Sequence, residues 1–314
     1  MYSLRIKEDE DKVLRMEPAE QFLDAMDRKA KMFARSARAT FETNRELCAW
    51  LLNPLARWAE SAYGSDVFDV AARGYAEYCV GIAKAYKIYE RAGIYTPESM
   101  PEIMSGVYED EGYMVPYMWA AILIYPFWPS MVSHIAMFRD DFVRRLPRNA
   151  TVRELAAGHG VLSLLAAEER SDIQIEGTDI SPPAVAVANR LLAVSGHADR
   201  VRFTVKDALN ADDRASDGKC QGVISGMLAE HLSDPRPLFK AISCQISQDG
   251  LVFLSTALES PQRDHVFEYN QESQPLLMAE TAGLRVSRLV SESSAVPPGS
   301  RFLPRATAMI LRSR

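Results

Sequence analysis

No two of the four cysteines (Cys48, Cys79, Cys220, Cys244) form a C-x-x-C pair, so the sequence offers neither a zinc knuckle nor a dithiol redox motif. They read instead as reduced, mostly buried thiols. An excess of basic residues is also lacking: 36 Lys and Arg face 42 Asp and Glu, for a net charge of −6. A sequence-independent nucleic-acid binder draws most of its affinity from cations on phosphates, so this balance argues against one. The N-terminus, MYSLRIKEDEDK, has no apolar core of a signal peptide. One charge-free run does occur, Met114 to Val132, but Pro116, Pro126 and Pro129 interrupt it. Freed backbone groups find no water in lipid, so this run is expected to be a buried or pocket-lining hairpin, without stable membrane insertion. There is no internal repeat and no low-complexity tract. A cytoplasmic protein is expected, with 47% hydrophobic and 25% charged residues giving it a substantial core.

What is present falls into two textures. From residue 17 to about 94, apolar residues return every three to four positions among Glu, Lys and Arg, the period of amphipathic helices. Asn53-Pro54 is expected to break the first of these, a second runs to Gly64, and a third stops at Gly93 behind Arg91. No strand-like alternation of useful length precedes residue 150.

From Thr151, short β-type runs (TVRELAA, DIQIEGT, RVRFTVK, GVISG, LVFLST) alternate with segments long enough for crossover helices. That alternation predicts a doubly wound α/β fold with a parallel sheet. The tail adds a helix and two strands. The expected division is a helical domain over 1–148 and a Rossmann-like domain over 149–314.

The first strand ends in Glu154-Leu155-Ala156-Ala157-Gly158-His159-Gly160, directly before a helix. Glycines at such a junction let a ligand approach the backbone, and the helix start presents free N–H groups. Asp179 closes the second strand 19 residues after Gly160, placed to accept hydrogen bonds from ribose hydroxyls. Asp207 closes the third, placed to meet an adenine amino group. A diphosphate binder would show G-x-G-x-x-G, but Ser163 occupies the third glycine position. The anionic Glu154 suits an ammonium and a sulfonium better than a diphosphate.

On these motifs residues 151–314 resemble the class I S-adenosylmethionine-dependent methyltransferases. The family pattern E-x-G-x-G-x-G falls on Glu154 to Gly160, with Ala156 at the first glycine; a negative φ there would leave alanine unstrained, whereas a positive φ would count against cofactor binding. GTDIS, VKDAL, MLAEHLSDP and QDGLVFLST follow in the family's order. The resemblance implies a seven-stranded sheet with the last strand antiparallel and S-adenosylmethionine as cofactor. It implies a cofactor site of Glu154, Ala156, Gly158, Gly160, Asp179, Ile180, Asp207, Ala208 and Met227. The helical first half further resembles the dimeric small-molecule O-methyltransferases and related C-methyltransferases, which implies a homodimer through the N-terminal helices, part of the substrate pocket in them, and a small-molecule acceptor.

Methyl transfer to a phenol or an acidic C–H benefits from a base. Of the five histidines, His231, beside Glu230, follows the fourth strand, and His265 follows the fifth. In the resembling O-methyltransferases a His-Asp-Trp segment carries the base; here Glu230 falls on the histidine and His231 on its neighbour. Glu230, His231 and His265 are therefore the catalytic candidates. With Asp264, Glu259 or Glu268 the two histidines form a set that Zn or Fe would accept, but the spacing matches no ligand motif and no metal is assigned. The aromatic residues Tyr113, Tyr117, Trp119 and Trp128 are candidates for an apolar acceptor pocket, against plain core. The expected reaction is methyl transfer to oxygen of an apolar or aromatic small molecule. C-methylation of a keto acid, and a protein that binds S-adenosylmethionine without methylating, are the alternatives. A protein or nucleic-acid methyltransferase stays the runner-up among enzymes, although the motifs of amino-methylating and pyrimidine-methylating enzymes, Asn/Asp-Pro-Pro-Tyr and Pro-Cys, are absent.

Overall fold

The computed structural model describes residues 17–209 and 218–314. Among them every regular element before Thr151 is helical: α1 (Glu20–Lys29), α2 (Lys31–Thr43), α3 (Arg45–Tyr63), α4 (Val67–Ala92), the single turn α5 (Met100–Ile103), α6 (Glu111–Phe127) and α7 (Pro129–Met137). Gly93 ends α4 at φ 78°, in the left-handed region that glycine enters at little cost.

The expected break at Pro54 does not occur. Pro54 lies inside α3, and the chain bends instead at Ala30 and Asn44. Leu51, Leu52, Leu55 and Trp58 are buried on either side of Pro54, and this packing outweighs the one hydrogen bond that proline removes. The apolar run Met114–Val132 also differs from a hairpin. It forms α6, which continues through Pro116 and Pro126, and then turns by 90° into α7. Asp110 starts α6 by accepting the N–H groups of Gly112 and Tyr113. Ten of its residues are buried, which is how an all-round apolar helix is stabilised in a globular fold. Gly74 of α4 permits this packing, since a Cβ there would stand 2.6 Å from the Pro116 carbonyl oxygen. No single described helix is long and apolar enough to cross a membrane, although the bent pair passes the length and composition test.

After Thr151 strands and helices alternate: β1 (Thr151–Leu155), α8 (Val161–Glu169), β2 (Gln174–Asp179), α9 (Pro182–Ser195), β3 (Val201–Val205), β4 (Cys220–Gly226), α10 (Arg236–Gln245), β5 (Ile246–Leu258), α11 (Ser273–Thr281), β6 (Leu284–Ser293) and β7 (Arg305–Ser313). They form one seven-stranded sheet in the order β3-β2-β1-β4-β5-β7-β6. The first five strands are parallel, and β7 runs antiparallel between β5 and β6. Strand order reverses between β1 and β4, and at such a reversal the adjacent loops diverge and leave a crevice. All four cysteines are unpaired thiols.

Candidate active site

The crevice opens at the carboxyl ends of the central strands. The first residue beyond β1, β4 and β5 is in each case a non-glycine with positive φ: Ala156 (56°), Met227 (51°) and Glu259 (48°). Met227 and Glu259 are held by a neighbouring segment directly, and Ala156 through the residue that follows it. Ala157 N–H donates to Thr178 O, Met227 N–H to Ser255 O and Glu259 N–H to Tyr269 O. Left-handed backbone costs a non-glycine residue on the order of 1–2 kcal/mol, and such strain concentrates at working sites. Of the two conformations open to Ala156 the structure has the positive one, the branch that counts against cofactor binding, and its methyl group faces the strain that the family's glycine avoids.

The turn after β1 is fixed from two sides. Asp179 accepts the N–H of Gly158 on one carboxylate oxygen and that of Ser181 on the other, both at 2.8 Å. Gly158 (φ 53°) and Gly160 (φ 68°) hold conformations that favour glycine, and a Cβ on Gly160 would come within 2.5 Å of the Phe203 ring. Burial pushes the Asp179 pKa up, while its two N–H donors oppose that shift. Glu154 is also buried, accepts the Ser163 N–H and hydroxyl, and is raised to about 8 by burial, partly offset by Ser163.

Above the turn lies a cavity of about 220 Å³. Its floor includes Glu154, Ala156, Gly158, Asp179, Ile180 and Met227, and α6 roofs it with Met114, Tyr117 and Met118. The wide helical turn Met104–Tyr108 contributes Met104 and Tyr108 from the side. That turn is tied to α9 by the Ser181 hydroxyl, which donates to the Tyr108 carbonyl. Gly160 instead starts α8 behind the cavity, and Asp207 and Ala208 do not line it; the Asp207 carboxylate accepts the Leu209 N–H. Position 208 directly precedes the end of the described stretch at residue 209.

At the far end Glu230, His231 and His265 meet. The short turn Ala229–His231 is bound to the loop after β5, because the Glu230 carbonyl accepts the N–H groups of Val266 (2.8 Å) and Phe267 (3.0 Å). The two imidazoles stand edge to face with centroids 4.8 Å apart. His231 Nδ1 donates to the Asp264 carbonyl at 3.1 Å and lies 3.3 Å from the Asp264 carboxylate, with the Tyr108 hydroxyl 3.2 Å away. His265 Nδ1 donates to the Ser260 carbonyl at 2.6 Å. Glu230 accepts the Thr256 hydroxyl at 2.8 Å on one oxygen, and the other is buried without a hydrogen-bond partner.

The electrostatics separate the two rings. Burial opposes a charge on His231, but the Asp264 carboxylate more than offsets it and raises the imidazole to about 9. His265 is driven the other way, to about 3, by burial and by the neighbouring His231. Among the described residues, Glu230, His231 and His265 form one group whose ligand atoms lie within 4.8 Å of one another. Glu259 and Glu268, the other acidic residues considered with them, point elsewhere: Glu259 pairs with Arg305, and Glu268 accepts from Tyr89 and the Tyr95 N–H.

The aromatic candidates divide. Tyr117 lines the cavity, and Tyr113 lines an adjoining one of about 450 Å³ that shares Tyr78, Tyr117 and Gln262 with it. Trp119 packs edge-on against Tyr63 in the core and Trp128 lies against Tyr78, so neither lines the site, contrary to expectation. Met104, Met114 and Met118 also line the site; the sequence does not mark the last two, because α6 is apolar on every side and gives no sign of which side faces a cavity.

Residues 131–284 match the sequence family described as a methyltransferase domain. The chain carries a class I methyltransferase domain. Two solved structures resemble this methyltransferase beyond that domain. One is the O-methyltransferase NcsB1 of neocarzinostatin biosynthesis, solved with S-adenosylmethionine and 2-hydroxy-5-methyl naphthoic acid; it shares 14% identity over 81% of this chain and 74% of its own, with a TM-score of 0.53. The other is an O-methyltransferase family protein from Burkholderia thailandensis, at 14% identity over 78% of this chain and 73% of its own, with a TM-score of 0.51. At such identities the likeness of the methyltransferase to both is one of fold. The residues at the ends of β1 and β2 fit S-adenosylmethionine in their chemistry: the turn at Gly158 allows close approach to the backbone, and the Asp179 carboxylate offers an acceptor for hydroxyl groups. Glu154, raised to about 8 by burial, is an acid rather than the anion expected of it.

Proposed function

We propose that this S-adenosylmethionine-dependent methyltransferase methylates an oxygen of an apolar or aromatic small molecule. The observation that carries the reading is the composition of one cavity: the cofactor-type turn at one end, Glu230, His231 and His265 at the other, and a roof of Tyr and Met between them. In-line displacement needs the acceptor aligned against the sulfonium methyl and water kept out. The methionines and Tyr117 of α6 give an adaptable apolar clamp for a flat acceptor, and the adjoining cavity past Tyr78 and Gln262 gives it a route in.

His265 is the neutral ring of the pair. Its Nδ1–H is committed to Ser260, which leaves the Nε2 lone pair to accept and orient the acceptor hydroxyl, a positioning role that suits a ring whose pKa is lowered to about 3. His231, held charged by Asp264, would instead stabilise a phenolate as it forms. Residues 1–148 act in this reading as lid and dimerisation domain and 149–314 as cofactor domain. Val80 of α4 and Ile88, which lines the adjoining cavity, are exposed apolar residues suited to a second copy. The four unpaired thiols agree with action in the cytoplasm.

The test is release of S-adenosylhomocysteine on incubation with a panel of phenols, hydroxyaryl acids and keto acids. Turnover with hydroxyaryl compounds, reduced at least a hundredfold in His265→Gln, is expected. Cofactor binding with no release for any acceptor would favour a protein that uses the cofactor without methylating.

A further inference from the structure

We propose that Glu230, His231 and His265 bind one divalent transition-metal ion. The donor set is two imidazoles and one carboxylate, which suits Zn²⁺ or Fe²⁺ and leaves coordination positions open. Three independent features of the structure point to a ligand there. The three donor atoms already lie within 4.8 Å of one another, close enough for one ion to reach all of them. One oxygen of Glu230, a fully buried side chain, has no hydrogen-bond partner, which costs free energy unless something else meets it. Finally, both rings are already held in the way that metal-binding histidines are held. His265 Nδ1 donates to the Ser260 carbonyl, and His231 Nδ1 donates to the Asp264 carbonyl beside the Asp264 carboxylate. Each ring thus presents Nε2 to an ion, with a carbonyl or carboxylate fixing it from behind; binding would displace the proton His231 otherwise carries and occupy the lone pair His265 otherwise offers the acceptor.

The site is assembled from two loops. The turn Ala229–His231 supplies two ligands and the loop after β5 the third, and the two are locked together through the Glu230 carbonyl and the N–H groups of Val266 and Phe267. Cofactor-side residues and these ligands line the same cavity, so an ion here would face the acceptor. On the methyl-transfer reading it would select acceptors with two adjacent oxygen donors and hold one of them as the anion.

The experiment is titration of chelator-treated, full-length protein with Co²⁺ alone, followed by visible absorption and calorimetry, with S-adenosylhomocysteine titrated into the same preparation. One equivalent of Co²⁺ is expected to bind, with affinity at least tenfold weaker in Glu230→Gln and in His265→Gln and unchanged in His197→Gln, a histidine paired with Glu168 outside the cavity. Circular dichroism melts confirm that each variant is folded. Absence of stoichiometric Co²⁺ uptake by folded wild-type protein, or wild-type affinity for Co²⁺ in both ligand variants, would overturn the metal site. S-adenosylhomocysteine binding by protein that takes up no Co²⁺ would overturn the metal alone, whereas Co²⁺ uptake by protein that binds no S-adenosylhomocysteine would uphold the metal and count against the methyl-transfer reading.

Discussion

Asp179 accepts the Gly158 N–H at 2.8 Å, and by this bond the end of β2 holds the turn that follows β1. The other carboxylate oxygen holds the Ser181 N–H at the start of α9. An amide can accept from one of these donors but presents an NH₂ to the other. Asp179→Asn is therefore expected to loosen the turn and to weaken S-adenosylhomocysteine binding at least tenfold, about 1.4 kcal/mol, in a calorimetric titration. Unchanged affinity would show that the turn does not depend on this carboxylate.

Ala156 sits at φ 56° where glycine would be free of strain. Relief of the left-handed conformation gains about 1–2 kcal/mol, and the more flexible unfolded chain takes back about 0.4–1. Ala156→Gly is expected to raise unfolding free energy by roughly 0.5–1 kcal/mol in urea, by this difference. A loss of stability would contradict the positive φ.

Two glycines of α4 make opposite predictions. Gly74 has the Pro116 carbonyl 2.6 Å from its would-be Cβ, while Gly81 has nothing within 4 Å. Gly74→Ala is expected to push α6 away and cost about 1–3 kcal/mol. Gly81→Ala is expected to stabilise by up to about 1 kcal/mol through helix propensity. Equal effects in denaturant titrations would mean that α4 and α6 do not touch as described.

His134 of α7 is fully buried, and burial lowers its pKa from 6.5 to about 4, with a backbone contact to Ala306 partly opposing. The unfolded chain therefore binds the proton more readily than the folded one. The stability this gives is complete above pH 6.5 and is lost as pH falls towards 4, about 3 kcal/mol in all. Melting temperature against pH is expected to fall over this window in the wild type and to fall less steeply in His134→Leu. Parallel curves would exclude His134 as the cause.

The strand–helix alternation after Thr151 is legible in the sequence because buried parallel strands are short apolar runs closed by polar turn residues, as in GTDIS and VKDAL. The loop-to-loop meeting of His231 and His265 is not legible, since the bonds from Val266 and Phe267 to the Glu230 carbonyl that join them are backbone contacts with no residue signature. For the same reason no linear spacing marks Glu230, His231 and His265 as a donor set. Pro54 misleads, because its cost is local and the burial of Leu51, Leu55 and Trp58 that offsets it depends on partners distant in the chain. Trp119 misleads because α6 is apolar on every side, so its pattern cannot tell the face against the core from the face over the cavity, and Trp128 because it sits at the bend between α6 and α7, which the sequence does not place.

Calorimetric titration of the wild-type protein with S-adenosylmethionine and S-adenosylhomocysteine tests the central claim most directly. The account predicts one site per chain with micromolar affinity for both, the shared adenosine and amino-acid groups being held by the turn at Gly158 and by Asp179. No binding of either compound by folded protein would contradict it, and would point to the Ala156 methyl group and a cavity that no longer admits the cofactor.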